Sequence, residues 1–144
     1  MNAETREFVD EFLPRHVEAE RLIHAGNAQP RMDLWSRNDP ITVLGAKDSG
    51  QGWAQLEPMF KAVAGWFSEA ISYDFDLIAA GASGDLAYAV GYESNEVVVD
   101  GTRRTYTLRA THVFRREDGE WRTVHRHADF PPEGGDKLFP DEET

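Results

Sequence analysis

Two periodicities divide the chain. Over residues 4–25 apolar side chains recur at Phe8, Phe12, Leu13, Val17, Leu22 and Ile23, mostly three to five residues apart, which predicts a helix. Asn2 is a candidate N-cap and Gly26-Asn27 a stop signal. Pro14 removes a helical hydrogen bond, so a kink or break is expected there. A second, short helix is predicted from about Pro30 to Trp35, since proline suits a first turn. Asn38-Asp39-Pro40 ends it, and Ile41-Thr42-Val43-Leu44 reads as a short strand. After a loop over 45–52, Trp53, Leu56, Phe60, Val63 and Phe67 follow at steps of three and four, an amphipathic helix whose first turn Pro58 makes less regular.

From there the period becomes two. Ile71, Tyr73, Phe75 and Leu77 alternate with Ser72, Asp74 and Asp76. Turns at 81–84, Asp100-Gly101 and Asp118-Gly119 separate strands over 85–99, 102–116 and 120–130. Helices first and a meander of long strands afterwards specify the α+β class, with the helices packed on the concave face of a curved antiparallel sheet.

Facing follows from parity. Leu86, Tyr88, Val90 and Tyr92 are the apolar even positions of one strand, and Tyr106, Leu108, Ala110, His112 and Phe114 those of the next. Both sets are expected to face the helices. The opposite positions Ala87, Ala89 and Gly91 are small, which suits close approach by a second sheet and a dimer. For the last strand two registers compete. A two-residue loop Asp118-Gly119 sets His112 opposite His125, and a three-residue loop Glu117-Asp118-Gly119 sets it opposite Val124. The first gathers Arg109, Arg122 and Arg126, which repel. The second groups Val124 and Ala128 with the apolar face and is favoured.

Composition narrows the function classes. A chain of 144 residues with 40% hydrophobic positions can bury one core, read as a domain over 1–131 with an acidic tail over 132–144. Apolar runs are too short to span a bilayer, so no membrane partner is expected. A net charge of −11 would repel a polyanion, which argues against nucleic acid. The absence of cysteine excludes disulfides and thiolate chemistry, and with no visible signal segment it fits the cytoplasm.

Three groups of side chains could carry chemistry. His125-Arg126-His127-Ala128-Asp129 spells H-x-H-x-D, but zinc requires three well-placed ligands, Asp129 lies far along the strand, and no histidine follows His127. No metal and no cofactor are therefore expected. Arg109, Thr111, His125, His127 and Asp129 are read instead as a polar dimer or structural face. The quieter group is His112 on its apolar face, with Tyr88 as the other catalytic candidate. Trp35, Tyr88, Tyr92, His112 and Arg126 are expected to line a ligand cavity, because an apolar pocket with a few convergent polar groups is the default binding site.

Arg109-Ala110-Thr111-His112-Val113-Phe114, then Asp118-Gly119-Glu120-Trp121 and His125-Arg126-His127, resembles the closing hairpin of SnoaL-like members of the NTF2-like superfamily. Asp33-Leu34-Trp35, residues 41–45, Gly52-Trp53 and residues 84–88 follow the order of ketosteroid-isomerase-like relatives. The resemblance implies an NTF2-like cone with a hydrophobic pocket, commonly a homodimer. The implied function is binding of a small, largely apolar organic ligand, as in a cofactor-independent isomerase, cyclase, lyase or hydrolase using general acid-base chemistry. The alternative is a non-catalytic binding or dimerisation module. The acids of a ketosteroid isomerase and the Asp-Arg-Asp set of an epoxide hydrolase find no matching positions, so no catalytic role is carried over.

Overall fold

The computed structural model describes residues 1–132. All but the first residue of the acidic tail read at 132–144 lies outside them. Helix α1 (Ala3–Glu7), a π-helical turn (Phe8–Phe12) and α2 (Leu13–Ile23) form a continuous helical segment. Asn2 caps it, its side-chain oxygen accepting from the Thr5 N–H at 2.8 Å. Pro14 falls in the first turn of α2. Its ring and missing N–H do not fit a regular helix interior, and the wider turn before it, where the Leu13 N–H donates to the Phe8 carbonyl, takes up the misfit. Helix α3 (Gln29–Leu34) follows, and α4 (Trp53–Trp66) runs unbroken through Pro58. No helix of the described residues is long and apolar enough to cross a membrane.

Strands β3 (Phe67–Ser83), β4 (Leu86–Val99), β5 (Thr102–Glu117) and β6 (Glu120–Asp129) form the antiparallel meander. The short β1 (Thr42–Leu44) joins β6 in parallel, and β2 (Ser49–Gln51), expected to be loop, pairs with β1. The sheet, ordered β2-β1-β6-β5-β4-β3, is thus mixed rather than wholly antiparallel.

Turn chemistry decides the facing. Asp100-Gly101 has positive φ at both residues (49° and 74°), a two-residue hairpin loop that pairs Val99 with Thr102. Every even position of β4 therefore lies opposite an odd position of β5, as Tyr88 does with Val113, and every odd position opposite an even one, as Ala89 does with His112. The expectation that both even sets face the helices fails for β4. Ala87, Ala89, Glu93, Asn95 and Val97 are buried, whereas Leu86, Tyr88 and Tyr92 are 57%, 45% and 38% exposed on the other face. Ala87 and Ala89 pack with Phe8, Phe12 and Leu13 of the helical layer, so their smallness admits helices and not a second sheet. Gly91 is covered by the Phe75 ring, 2.8 Å from where a Cβ would stand.

The β5–β6 register matches neither alternative throughout. Asp118-Gly119 is a two-residue loop with φ 51° and 79°, pairing Glu117 with Glu120, which overturns the favoured three-residue turn. Beyond it the pairing slips by one between Phe114↔Thr123 and Val113↔His125, a bulge that accommodates Val124. His112 then lies opposite Arg126. Val124, Arg126 and Ala128 are buried on the inner face. The core has two main parts, one around Ile23, Trp35, Ile41, Leu56 and Phe60, the other around Phe8, Phe12, Leu34 and Phe114. Burying each such side chain contributes roughly 1.5–3 kcal/mol.

Candidate functional site

A cavity of about 620 Å³ opens on the concave side. Its walls are mostly apolar, from Val43, Met59, Phe60, Val63, Phe67 and Leu108. Polar side chains interrupt them, among them His24, Arg31, Tyr106 and Arg126, and Lys47, Asp48, Arg104, Trp66 and Phe130 also line the space.

Behind the two arginines stands a buried charge network. Arg126 donates to both Glu93 oxygens, at 2.7 and 2.9 Å, and its Nη1 lies 3.0 Å from His112 Nε2. A guanidinium only donates, so Nε2 is the acceptor and the His112 proton sits on Nδ1. Tyr73 Oη donates to Glu93 Oε2 at 2.7 Å. Arg31 grips Glu20 in the same bidentate way, its Nε donating at 3.1 Å and its Nη2 closing the pair. Arg126 also stands 3.9 Å from Glu20. Burial alone would raise both carboxyls, but Arg31 and Arg126 beside Glu20, and Arg126 beside Glu93, outweigh it and hold them below the usual range. Two carboxylates thus balance two guanidinium groups. Burial lowers His16 and, further, His112, so both rings are neutral.

His24 differs from these. It ends α2, where its Nδ1 meets the Glu20 carbonyl at 2.6 Å. A carbonyl only accepts, so Nδ1 carries the proton and Nε2 keeps a lone pair. Burial lowers its pKa, leaving the ring neutral near pH 7 and able to take a proton. Tyr73 stacks on it with centroids 5.4 Å apart, and the Tyr106 ring lies at 6.4 Å. Burial raises Tyr106, so its hydroxyl stays protonated and can donate. The site combines a neutral base, a phenol donor and two guanidinium edges beside an apolar space.

Of the residues expected in the cavity, Arg126 lines it and His112 stands behind, fully buried against Arg126. Trp35 is packed on Phe60 at 5.1 Å in the core. Tyr88 and Tyr92 lie on the outer face, a correction that follows from the two-residue turn after β4. Arg109, Thr111, His125, His127 and Asp129 occupy that outer face as well. Arg109 pairs with Asp129 at 2.7 Å, and His125 Nδ1 contacts Thr42 Oγ1 at 2.7 Å.

His16, Glu20 and His112 each bring one ligand atom within 4.8 Å of the others. Both Glu20 oxygens already accept from Arg31, and a dication there would also face Arg126, so charge works against a metal at this cluster.

Reading the sequence missed His16, Glu20, His24, Arg31 and Tyr73. The signal for three of them was present: His16, Glu20 and His24 are spaced by four on one helix, placing ionisable groups along the stripe that also holds Leu13 and Ile23.

The family model of the SnoaL-like domain matches residues 17–133. No curated protein matches the sequence. An NTF2-like superfamily protein from Salmonella enterica is similar in structure, with a TM-score of 0.76 and 20% identity over 94% of this chain and 96% of that one. A candidate dehydratase of the NTF2-like family from Streptomyces avermitilis has a TM-score of 0.72 and 14% identity over 88% and 98%. A candidate calcium/calmodulin-dependent kinase II association domain from Thiobacillus denitrificans has 0.69 and 19% over 82% and 93%. At these identities the likeness is one of fold.

Proposed function

This chain belongs to the SnoaL-like family, and from that premise we propose that its cavity takes one small, largely apolar organic molecule and moves a proton on it, as a metal-free isomerase or lyase. The observation that carries this reading is His24, neutral, held by its Nδ1, with Nε2 unprotonated beside the cavity. A substrate carbonyl would accept from Tyr106 or from the free edge of Arg31 or Arg126. His24 Nε2 would take a proton from the carbon next to that carbonyl, and the C–H electron pair would pass into an enolate whose oxygen these donors stabilise. Return of the proton to another carbon completes an isomerisation, and its transfer from His24 to a departing β-hydroxyl, as the enolate electrons form the C=C bond, releases water and completes a dehydration. His112 acts through Arg126, which it helps to position.

Enolisable ketones and aldehydes incubated with the protein in D₂O should gain deuterium at the α-carbon. His24→Gln should bind the same compounds and lose the exchange. Undiminished exchange in that variant would overturn the assignment. A binding cone without turnover is the second reading, favoured by the two buried carboxylates, both tied to arginines and unfit as bases. Binding with no exchange by the unaltered protein would select it.

A homodimer belongs to the same proposal. Leu86, Tyr88, Tyr92 and the half-buried Val90 and Val113 place apolar surface on one outer face beside the polar Arg109, Thr111 and His127. A patch of this kind on a small protein marks an interaction site. The cysteine-free composition fits a cytoplasmic setting.

A further inference from the structure

The charges around the cavity run against those of the chain. The sequence holds 15 basic and 26 acidic residues, yet the cavity is lined by Arg31, Lys47, Arg104 and Arg126 against a single acid, Asp48. Arg31 and Arg126 are spent on Glu20 and Glu93, so the inner end is neutral. The surplus, one net positive charge, lies with Lys47 and Arg104 against Asp48, all three exposed. Among the described residues neither cation has a carboxylate within 4.0 Å, whereas the adjacent Arg103 pairs with Glu96 at 2.9 Å. Arg104 lies opposite the fully buried Val97, so it springs from the inner face of β5 near its open end. The Lys47 ammonium stands 5.7 Å from the centre of the Phe130 ring, and Phe130 meets Tyr106 at 6.3 Å. Phe130 and Trp66 are 48% and 42% exposed, which makes this margin both cationic and apolar.

Resting on the reading above, we propose that the natural ligand is an amphiphilic organic acid, its apolar body in the cavity and its carboxylate at the margin between Lys47 and Arg104. The inner end suits a neutral oxygen better than a charged one. A carboxylate there would add a negative charge to desolvated Glu20 and Glu93, whose own charges already use the arginines. At the margin the carboxylate keeps its water, and the two cations attract it from solution despite the acidic chain. A cavity of about 620 Å³ has room for a long aliphatic or polycyclic body.

The test compares 11-(dansylamino)undecanoic acid with its methyl ester, read by dansyl fluorescence. In low salt the acid should bind roughly tenfold more tightly than the ester, since two exposed ion pairs supply modest attraction. At about 0.5 M salt the gap should shrink, as screening acts on exposed charges. In the double variant Lys47→Gln with Arg104→Gln, acid and ester should bind alike. Equal binding of acid and ester by the unaltered protein, or a gap that survives in the double variant, overturns the organic-acid assignment and leaves the binding cone standing. If neither probe binds and no neutral ketone shifts the melting temperature, the cone itself is not a ligand site and both proposals fall.

Discussion

Arg126 on β6 reaches past β5 to hold Glu93 on β4 through two hydrogen bonds of 2.7 and 2.9 Å, with side-chain exposures of only 7% and 0%. A buried pair of this kind gives little net stability, but breaking it leaves a charge stranded. Arg126→Met should therefore cost about 3–5 kcal/mol in urea unfolding, because Glu93 must then ionise alone or take up a proton. Adding Glu93→Leu should recover much of that loss, since the double variant buries no charge at this pair. A single variant that costs less than about 1 kcal/mol would show that the pair is not closed in solution.

Burial lowers four histidines, His16, His24, His112 and the less buried His125, from an ordinary value of 6.5. Their folded pKa values lie below their unfolded ones, so the unfolded chain binds more protons as acid is added. Stability is complete above about pH 6.5 and is lost as the pH falls through that value toward the folded pKa values. Each histidine contributes a slope of up to about 1.4 kcal/mol per pH unit. Glu20 and Glu93 are depressed below 4.5, so their contribution is present above that value and is lost later, as the pH falls through their folded values. The melting temperature should thus be nearly level from pH 8 to 7, fall from about 6.5 to 5, and fall again below about 4.5. His112→Gln should flatten the first fall by one proton. A melting temperature that holds or rises between pH 7 and 5 would contradict the neutral state of these rings.

Much of the architecture was legible because periodicity is local. The stripe of Trp53, Leu56, Phe60 and Val63 announced α4, and the Asp-Gly pairs announced both long hairpins. Facing was legible only in part. The two-residue turn at Asp100-Gly101 sets the even positions of β4 opposite odd positions of β5, so the apolar even sets of the two strands cannot share a face, and Tyr88 and Tyr92 lie on the surface and not in the cavity. On β6 the sequence suggested the right inner residues through the wrong turn, since the extra residue lies at the Val124 bulge. The site was the least visible part. His24 stands beside the helix stop at Gly26-Asn27 and Glu20 among polar neighbours, and neither position marks a site by itself. Their meaning depends on Arg31, Glu93 and Tyr106, which folding brings from distant stretches of the chain.

The outer face supplies a test that leaves the interior untouched. Tyr88 and Tyr92 are 45% and 38% exposed, and the Tyr88 ring lies over Gly81, where a Cβ would stand 2.6 Å from the ring edge. Replacing both tyrosines by lysine puts two charges in the middle of the proposed dimer contact, beside Arg109, which lies opposite Tyr92. Like charges meeting across a two-fold axis repel, and burying them in an interface carries a heavy desolvation cost. The unaltered protein should sediment as a dimer at micromolar concentration and the double variant as a monomer. The melting transition of the variant should remain cooperative, because neither ring belongs to the core. Sedimentation of the unaltered protein as a monomer would remove the dimer. Persistence of the dimer in the double variant would move the contact to another surface.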